Sequence, residues 1–113
     1  MITFGGLPGT GKTTLARLLA DELKAVYLRV DTIEQALRDS HLLAGPVHDA
    51  GYRVAYLLAA DNLRLSRTVI ADSVNPLQTT RDAWRTVAVG AAAEMVEIEV
   101  LCSDRAEQRA KFC

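Results

Sequence analysis

Short apolar runs alternate along this chain with longer segments in which apolar residues recur every three or four positions. Four runs have the length and composition of strands, at residues 2–4, 25–30, 68–71 and 94–101. Three segments have the spacing of a helix with one buried face. The residues of these predicted faces are Leu15, Leu18, Leu19 and Leu23, then Val54, Leu57, Leu58 and Leu65, and then Trp84, Val87, Ala88 and Ala91.

Alternating strands and helices predict an α/β fold in three layers, with a mostly parallel sheet of about four strands and helices on both faces. In the last strand Glu97 and Glu99 alternate with apolar residues, so one of its faces is predicted to be solvated. Ligands of such sheets bind at the carboxyl ends of the strands. Because a glycine-rich loop, Asp31 and Asp72 each follow a predicted strand, we expect them to meet at one edge.

The loop after the first strand fits the pattern G-x-x-x-x-G-K-[ST], which binds phosphate when it lies between a strand and a helix. The residues predicted to contact a nucleotide are Gly6, Leu7, Pro8, Gly9, Thr10, Gly11, Lys12, Thr13 and Thr14. The glycines leave room for a phosphate to approach the backbone amides, and the helix that follows adds its positive dipole end. Lys12 supplies positive charge for the β- and γ-phosphates, and the Thr13 hydroxyl is placed to ligate Mg²⁺. The alternative is a glycine-rich turn that caps a helix, with an incidental lysine.

Asp31 and Asp72 are the candidate carboxylates for phosphoryl transfer. Asp72 ends a hydrophobic run, a pattern expected of a residue that holds Mg²⁺; alternatively, it caps the next turn. Asp31 is a candidate to accept the proton of a substrate hydroxyl. Alternatively, Asp31 caps a helix with Glu34 three residues on, although Thr32 and Gln35 form a competing capping box that would free it.

The C-terminal segment and the polar connection at residues 39–51 supply further candidates. Arg105 and Arg109 have the i, i+4 spacing of neighbours on a helix, where they are candidates to clamp phosphates from a closing lid. A solvated charged helix is the alternative. His41 and His48 lie in the polar connection, and neither is assigned a role.

The third apolar segment begins at a capping pattern, with Asn75 as the N-cap and Pro76 at the first helical position. Within this helix, Trp84 has the spacing of a core residue rather than of a platform for stacking a base. Arg81 and Arg85 flank it and either face the substrate or belong to an ordinary charged helix surface.

Composition limits the classes of partner. The chain has 113 residues, 50% of them hydrophobic, which predicts a single domain over residues 1–113. A net charge of −1 with dispersed basic residues disfavours a nucleic-acid or membrane surface. A strand that begins at residue 2 leaves no space for a leader, so a cytoplasmic location is expected. Cys102 is predicted to be a buried thiol, and Cys113 has no predicted role.

The chain resembles the small P-loop kinases of the adenylylsulfate kinase, chloramphenicol phosphotransferase, zeta-toxin and polynucleotide-kinase type. The resemblance is carried by the loop at residues 6–14, Asp31, the run 69–75 and the segment 102–105 leading to Arg109. It implies transfer of the γ-phosphoryl group from ATP, with Mg²⁺, to a hydroxyl of a small molecule. By resemblance, Asp31 falls where these kinases place their catalytic base, and Arg105 and Arg109 fall where their lid begins.

Departures from these kinases carry expectations of their own. The chain stops inside what would be the lid, without a fifth strand, so the alternative function is a nucleotide-binding module or weak NTPase without kinase activity. The strand at 94–101 would then be an exposed edge, and we expect self-association through that edge or by exchange of C-terminal elements. An arginine that several of these kinases have shortly after the strand-two acid is absent, and Glu34 stands three residues after Asp31.

Overall fold

The computed structural model describes residues 1–6, 11–41, 50–74 and 78–100 of the chain. In chain order the strands and helices are β1 (Ile2–Gly5), α1 (Lys12–Leu23), β2 (Val26–Arg29), α2 (Val30–Asp39), α3 (Ala50–Arg64), β3 (Val69–Asp72), α4 (Gln78–Gly90) and β4 (Val96–Glu99). Within these ranges successive strands are separated by one helix or, between β2 and β3, by two. The alternation predicted from the apolar pattern is confirmed.

The described strands form one parallel sheet in the order β2-β3-β1-β4. β3 lies between β2 and β1, and its apolar residues from Val69 to Ala71 are buried, as expected inside a parallel sheet; Asp72, which ends the strand, is buried as well. Asp72 pairs with Phe4 of β1 and with Arg29 of β2. The carboxyl ends of these three strands therefore lie side by side.

Helices cover both faces of the sheet. On one face, α1 contributes Ala16 and Ala20 to a core that includes Phe4 and Ile70. On the other face, α3 and α4 pack over Ala71 and its neighbours, and α2 packs against α3. The predicted three-layer α/β fold is confirmed.

The predicted buried face of α1 is wrong for three of its four leucines, whereas Leu19 is partly buried against the core that includes Phe4 and Ile70. Leu15, Leu18 and Leu23 are exposed, with 64% of Leu18 accessible, whereas Ala16 and Ala20 are buried against the sheet. Small side chains let the helix lie close to the strands, so the alanine face makes the tighter contact. The spacing of the leucines correctly predicts a helix, but Leu15, Leu18 and Leu23 lie on its exposed side in the part of the chain that the structure describes.

The predicted buried face of α3 is wrong for the same reason. Its exposed apolar residues are Val54, Leu57 and Leu58, and Leu65, just after the helix, is exposed as well. The buried positions are Ala55, Ala59 and Leu63, which are spaced by four residues. Gly51 begins the same row, and a Cβ at Gly51 would collide with the side chain of Glu34 on α2. Small residues therefore set the contact face of α3, and glycine permits the close approach of α2.

The amino end of α2 also differs from the prediction. The helix begins at Val30, with Arg29 as its N-cap and no side-chain hydrogen bond at the cap. Asp31 and Thr32 consequently lie inside the first turn, so neither predicted capping arrangement forms, and the capping box of Thr32 with Gln35 is wrong. The negative charge of Asp31 still interacts favourably with the positive end of the helix dipole.

α4 packs as predicted. Trp84 and Ala88 are buried, and the indole of Trp84 packs edge to face with Tyr56, with the ring centroids 4.7 Å apart. The core role of Trp84 is therefore confirmed. The predicted N-cap at Asn75 and Pro76 lies outside the described residues.

β4 is an edge strand of the described sheet, where it pairs with β1. Glu97 and Glu99 are exposed as predicted, but Val96 on the predicted apolar face is also 53% exposed. Self-association through this edge stays a prediction.

Among residues 1–6, 11–41, 50–74 and 78–100, no helix has both the length and the apolar character needed to cross a membrane. Cys102 and Cys113 lie outside these ranges.

Candidate phosphate-binding site

Two glycines with positive φ stand at the ends of the predicted loop. Gly6 has φ 141° and Gly11 has φ 83°, values that residues with a side chain rarely adopt. Gly11 is the N-cap of α1, and no side chain caps the helix. The first amide groups of α1, from Lys12 onwards, are therefore in place to bind an anion. The loop residues outside the described ranges are Leu7, Pro8, Gly9 and Thr10.

The carboxylate of Asp72 joins three elements of the fold. Lys12 Nζ lies 2.5 Å from Asp72 Oδ1, and Thr13 Oγ1 donates to Asp72 Oδ2 over 2.9 Å. Tyr27 Oη donates to the same Oδ2 over 2.6 Å. Asp72 is 1% exposed and Lys12 is 8% exposed, so this ion pair is shielded from water. The structure thus brings together two loop-end residues of α1, a residue of β2 and the last residue of β3.

Hydrogen bonding fixes the protonation states in this cluster. Burial opposes ionisation of Asp72, but the bonds from Lys12 and Tyr27 outweigh burial and hold the pKa of Asp72 below its ordinary value. Burial, followed by the hydrogen bond to Asp72, raises the pKa of Tyr27 to about 12. At neutral pH the cluster therefore contains an ionised carboxylate of Asp72 and a protonated phenol of Tyr27.

We expect the stability conferred by Asp72 to disappear in acid. Its pKa is lowered by folding, so this stability is present above the unfolded-state pKa near 3.8 and is lost as pH falls through the lower folded-state value. Urea unfolding should show Asp72→Asn to be less stable than wild type by about 2 kcal/mol at neutral pH. The difference should shrink below about pH 3.8, and a difference that stays constant down to full protonation would contradict the assignment.

Three predicted site residues, Asp31, Arg105 and Arg109, do not belong to the described hydrogen-bonded cluster around Asp72. Asp31 lies in the first turn of α2, 56% of its side chain is exposed, and its described ion pair is with Arg29, with 3.8 Å between Arg29 Nη2 and Asp31 Oδ2. Arg105 and Arg109 fall outside the described ranges. The roles of all three stay predictions.

The sequence interpretation missed Tyr27. The two-residue period of β2 places Tyr27 on the same face as Arg29, and Tyr27 pairs with Ile70, two residues before Asp72. The contact of Tyr27 with Asp72 can be predicted only when β2 is known to lie beside β3. The order of the strands gives this information, and no local sequence motif does.

A cavity of about 280 Å³ lies between α4 and β4, beside the start of the loop at Gly6. Arg81 and Arg85, the two arginines that flank Trp84, both line it. Arg85 is held by two hydrogen bonds to Glu97, of 2.6 and 3.0 Å. Arg85 therefore neutralises a neighbouring strand residue, and a role for either arginine toward substrate stays a prediction.

Two side chains at this site carry oxygen atoms that are suitable ligands for a magnesium ion. The Thr13 hydroxyl and the Asp72 carboxylate are hard oxygen ligands, and they lie within hydrogen-bonding distance of each other beside the start of α1. Within the described ranges there is no cluster of three or more His, Cys, Asp or Glu side chains that could hold a metal. The pair of Thr13 and Asp72 matches the one or two protein ligands through which Mg²⁺ binds in phosphate sites, together with waters and substrate phosphates.

The strands form a parallel sheet, and a glycine precedes the helix whose lysine and threonine contact the aspartate at the end of β3. These features define an α/β protein of the P-loop class. A family model described as an AAA domain matches residues 1–111, and the chain belongs to this family. No curated protein matches the chain.

Solved kinase structures share this fold. A putative kinase from Chloroflexus aurantiacus matches with a TM-score of 0.78 and 23% identity, over 88% of this chain and 58% of that protein. The APS kinase of Mycobacterium tuberculosis in complex with AMPPNP and APS matches with a TM-score of 0.74 and 21% identity, over 96% of this chain and 65% of that protein. A gluconokinase from Sinorhizobium meliloti matches with a TM-score of 0.62 and 18% identity, over 99% of this chain and 66% of that protein. The predicted P-loop kinase fold is confirmed, and the chain spans less than two thirds of the length of each of these proteins.

Proposed function

We propose that this protein is an ATP- and Mg²⁺-dependent kinase that transfers the γ-phosphoryl group to a hydroxyl of a small molecule. The observation that carries the proposal is the convergence of Lys12 and Thr13, at the uncapped start of α1, on the buried carboxylate of Asp72. The structural neighbours support it, since one is an APS kinase in complex with AMPPNP and APS and another is a gluconokinase.

Each residue has a distinct part in the proposed reaction. Lys12 turns from Asp72 to the β- and γ-phosphates, where its charge neutralises the phosphate oxygens. Thr13 and Asp72 would hold Mg²⁺, which would supply positive charge to neutralise the phosphate oxygens. Arg105 and Arg109 are proposed to add positive charge around the transferred group.

Asp31 is the proposed base toward the acceptor. The acceptor oxygen forms a bond to the γ-phosphorus while the bond from that phosphorus to the β,γ-bridging oxygen breaks. ADP leaves with the electron pair of the broken bond, and the proton of the acceptor hydroxyl passes to the Asp31 carboxylate. The half-exposed position of Asp31 leaves its carboxylate accessible to such an acceptor.

A nucleotide-binding module with little turnover is the second candidate function. The observation that favours it is that Asp31, the proposed base, pairs with Arg29 rather than with the described cluster of Lys12, Thr13 and Asp72. That cluster alone would serve phosphate binding, whereas transfer also needs a base beside the acceptor.

Calorimetry followed by an acceptor screen separates the two functions. We expect ATP to bind more tightly with Mg²⁺ than in EDTA, and ADP release to rise at least about tenfold over background with one class of hydroxyl compound, because a positioned base contributes about 100-fold or more. The screen should contain sugars, sugar acids, nucleosides and amino alcohols. Binding of ATP without acceptor-dependent ADP release by any of them would support the module instead.

A further inference from the structure

Tyr27 reaches the candidate site from outside the phosphate-binding loop. It lies on β2, and its phenol shares the Oδ2 oxygen of Asp72 with the hydroxyl of Thr13, at 2.6 and 2.9 Å respectively. The other carboxylate oxygen, Oδ1, accepts from Lys12. Two donors on the same oxygen restrict the orientation of the carboxylate, because each hydrogen bond weakens steeply when its donor–hydrogen–acceptor angle falls below about 120°.

The three donors respond differently to a bound nucleotide. Under the proposed function, Lys12 leaves Asp72 for the phosphates and the Thr13 oxygen becomes a metal ligand. Tyr27 belongs to neither the loop nor α1, and its backbone is held in register with Ile70 by the pairing of β2 with β3. Tyr27 is therefore the one of these three donors that can stay on Asp72 when Lys12 binds the phosphates and Thr13 binds the metal.

We propose that Tyr27 is a positioning residue, which holds the carboxylate of Asp72 in the orientation that supports Mg²⁺ beside Thr13. The inference rests on the proposed function to the extent that ATP and Mg²⁺ bind together at this site. Hydrogen-bond partners behind a metal-supporting carboxylate orient it, and removing such a partner weakens metal binding without removing the ligand itself. Tyr27 contributes this partner from the sheet, whereas Thr13 contributes its hydroxyl from the helix.

Isothermal titration calorimetry on the full chain tests the inference with ATP as the probe, once in Mg²⁺ and once in EDTA. Tyr27→Phe removes only the phenol oxygen, and we expect it to weaken ATP binding about tenfold in Mg²⁺. In EDTA, the affinity of Tyr27→Phe for ATP should equal that of wild type. Tyr56→Phe is the matched control, because Tyr56 packs against Trp84 in the core on the opposite face of the sheet. It should leave both affinities unchanged.

The ratio of the two affinities decides the outcome. An equal fold-loss in Mg²⁺ and in EDTA would leave the ratio at its wild-type value, assign Tyr27 a purely structural role and overturn the proposal. Unchanged affinities in both buffers would overturn it as well. The ratio compares one folded variant in two buffers, so it holds even when urea unfolding shows Tyr27→Phe to be less stable than Tyr56→Phe. Absence of phosphoryl transfer to any acceptor would reject the kinase and leave this comparison intact. ATP binding that is independent of Mg²⁺ in wild type would overturn the inference about Tyr27.

Discussion

Lys12→Ala is expected to lower the affinity for ATP in the presence of Mg²⁺ by about 100-fold or more. The side chain would form charge-assisted hydrogen bonds with the β- and γ-phosphates, and alanine replaces them with water. The backbone amides at the start of α1 stay in place, so residual weak binding is expected rather than none. Calorimetric titration with ATP and Mg²⁺ measures the change directly.

Stability must be measured alongside this variant. Lys12 is paired with the buried Asp72, and removing one partner of a buried ion pair costs about 3 kcal/mol. Circular dichroism and urea unfolding establish that Lys12→Ala is folded under the titration conditions. Lys24→Ala is the matched control, because Lys24 is 84% exposed at the other end of α1, where it pairs with Asp21 at 3.7 Å. A folded Lys12→Ala with wild-type affinity for ATP would remove Lys12 from the nucleotide site.

The contact between Lys12 and Asp72 also sets the starting state for binding. A lysine with no partner near a phosphate site would be attracted to the incoming charge at no cost, whereas Lys12 is already satisfied by a buried carboxylate. Under the proposed function, nucleotide binding would therefore exchange one ion pair for another. The gain would come from the multiple charges of the phosphates and from Mg²⁺, which would supply the positive charge that Asp72 loses with Lys12.

Local sequence patterns were sufficient to predict the fold and the placement of Asp72. Parallel strands need helical crossovers, so alternating strand and helix patterns admit few architectures, and their carboxyl ends fall on one edge. The residues that follow β1 and end β3 were therefore predictable neighbours. The contacts of Lys12 and Thr13 with Asp72 agree with that placement.

The sequence did not predict which helix faces are buried. Apolar periodicity weights the largest side chains, so it selected Leu18 and Leu57, which are 64% and 70% exposed. The actual contacts use Ala16 and Ala59, both with no exposed surface, because close packing depends on shape and on the spacing of the layers. When a helix has small residues on one side and leucines on another, its sequence alone does not determine which side packs against the sheet.

The contact of Tyr27 escaped prediction for a different reason. Alternation along β2 gives the face on which Tyr27 lies, but its partner depends on which strand is adjacent. β2 pairs with β3 rather than with β1, although β1 precedes it in the chain. A long-range choice of this kind has no signature within the six residues of the predicted strand at 25–30.

Asp31→Asn is expected to lower kcat for phosphoryl transfer by about 100- to 10,000-fold while leaving the affinity for ATP unchanged. Asparagine preserves the size of the side chain but cannot take the proton of an acceptor hydroxyl. Asp31 is exposed in the first turn of α2, and its pairing with Arg29 at 3.8 Å lies at the surface, so the substitution should cost little stability. Steady-state assays with the acceptor identified by screening separate kcat from the KM for ATP.

Asp39→Asn provides the comparison within the same helix. Asp39 lies at the carboxyl end of α2, where it accepts a hydrogen bond from Gln35, far along the helix from the strand ends. Its substitution should leave both kcat and the KM for ATP at wild-type values. Transfer by Asp31→Asn at the wild-type rate would show that another group receives the proton. A parallel loss of kcat and ATP affinity would instead assign Asp31 to nucleotide binding, because a base toward the acceptor acts only after the nucleotide is bound.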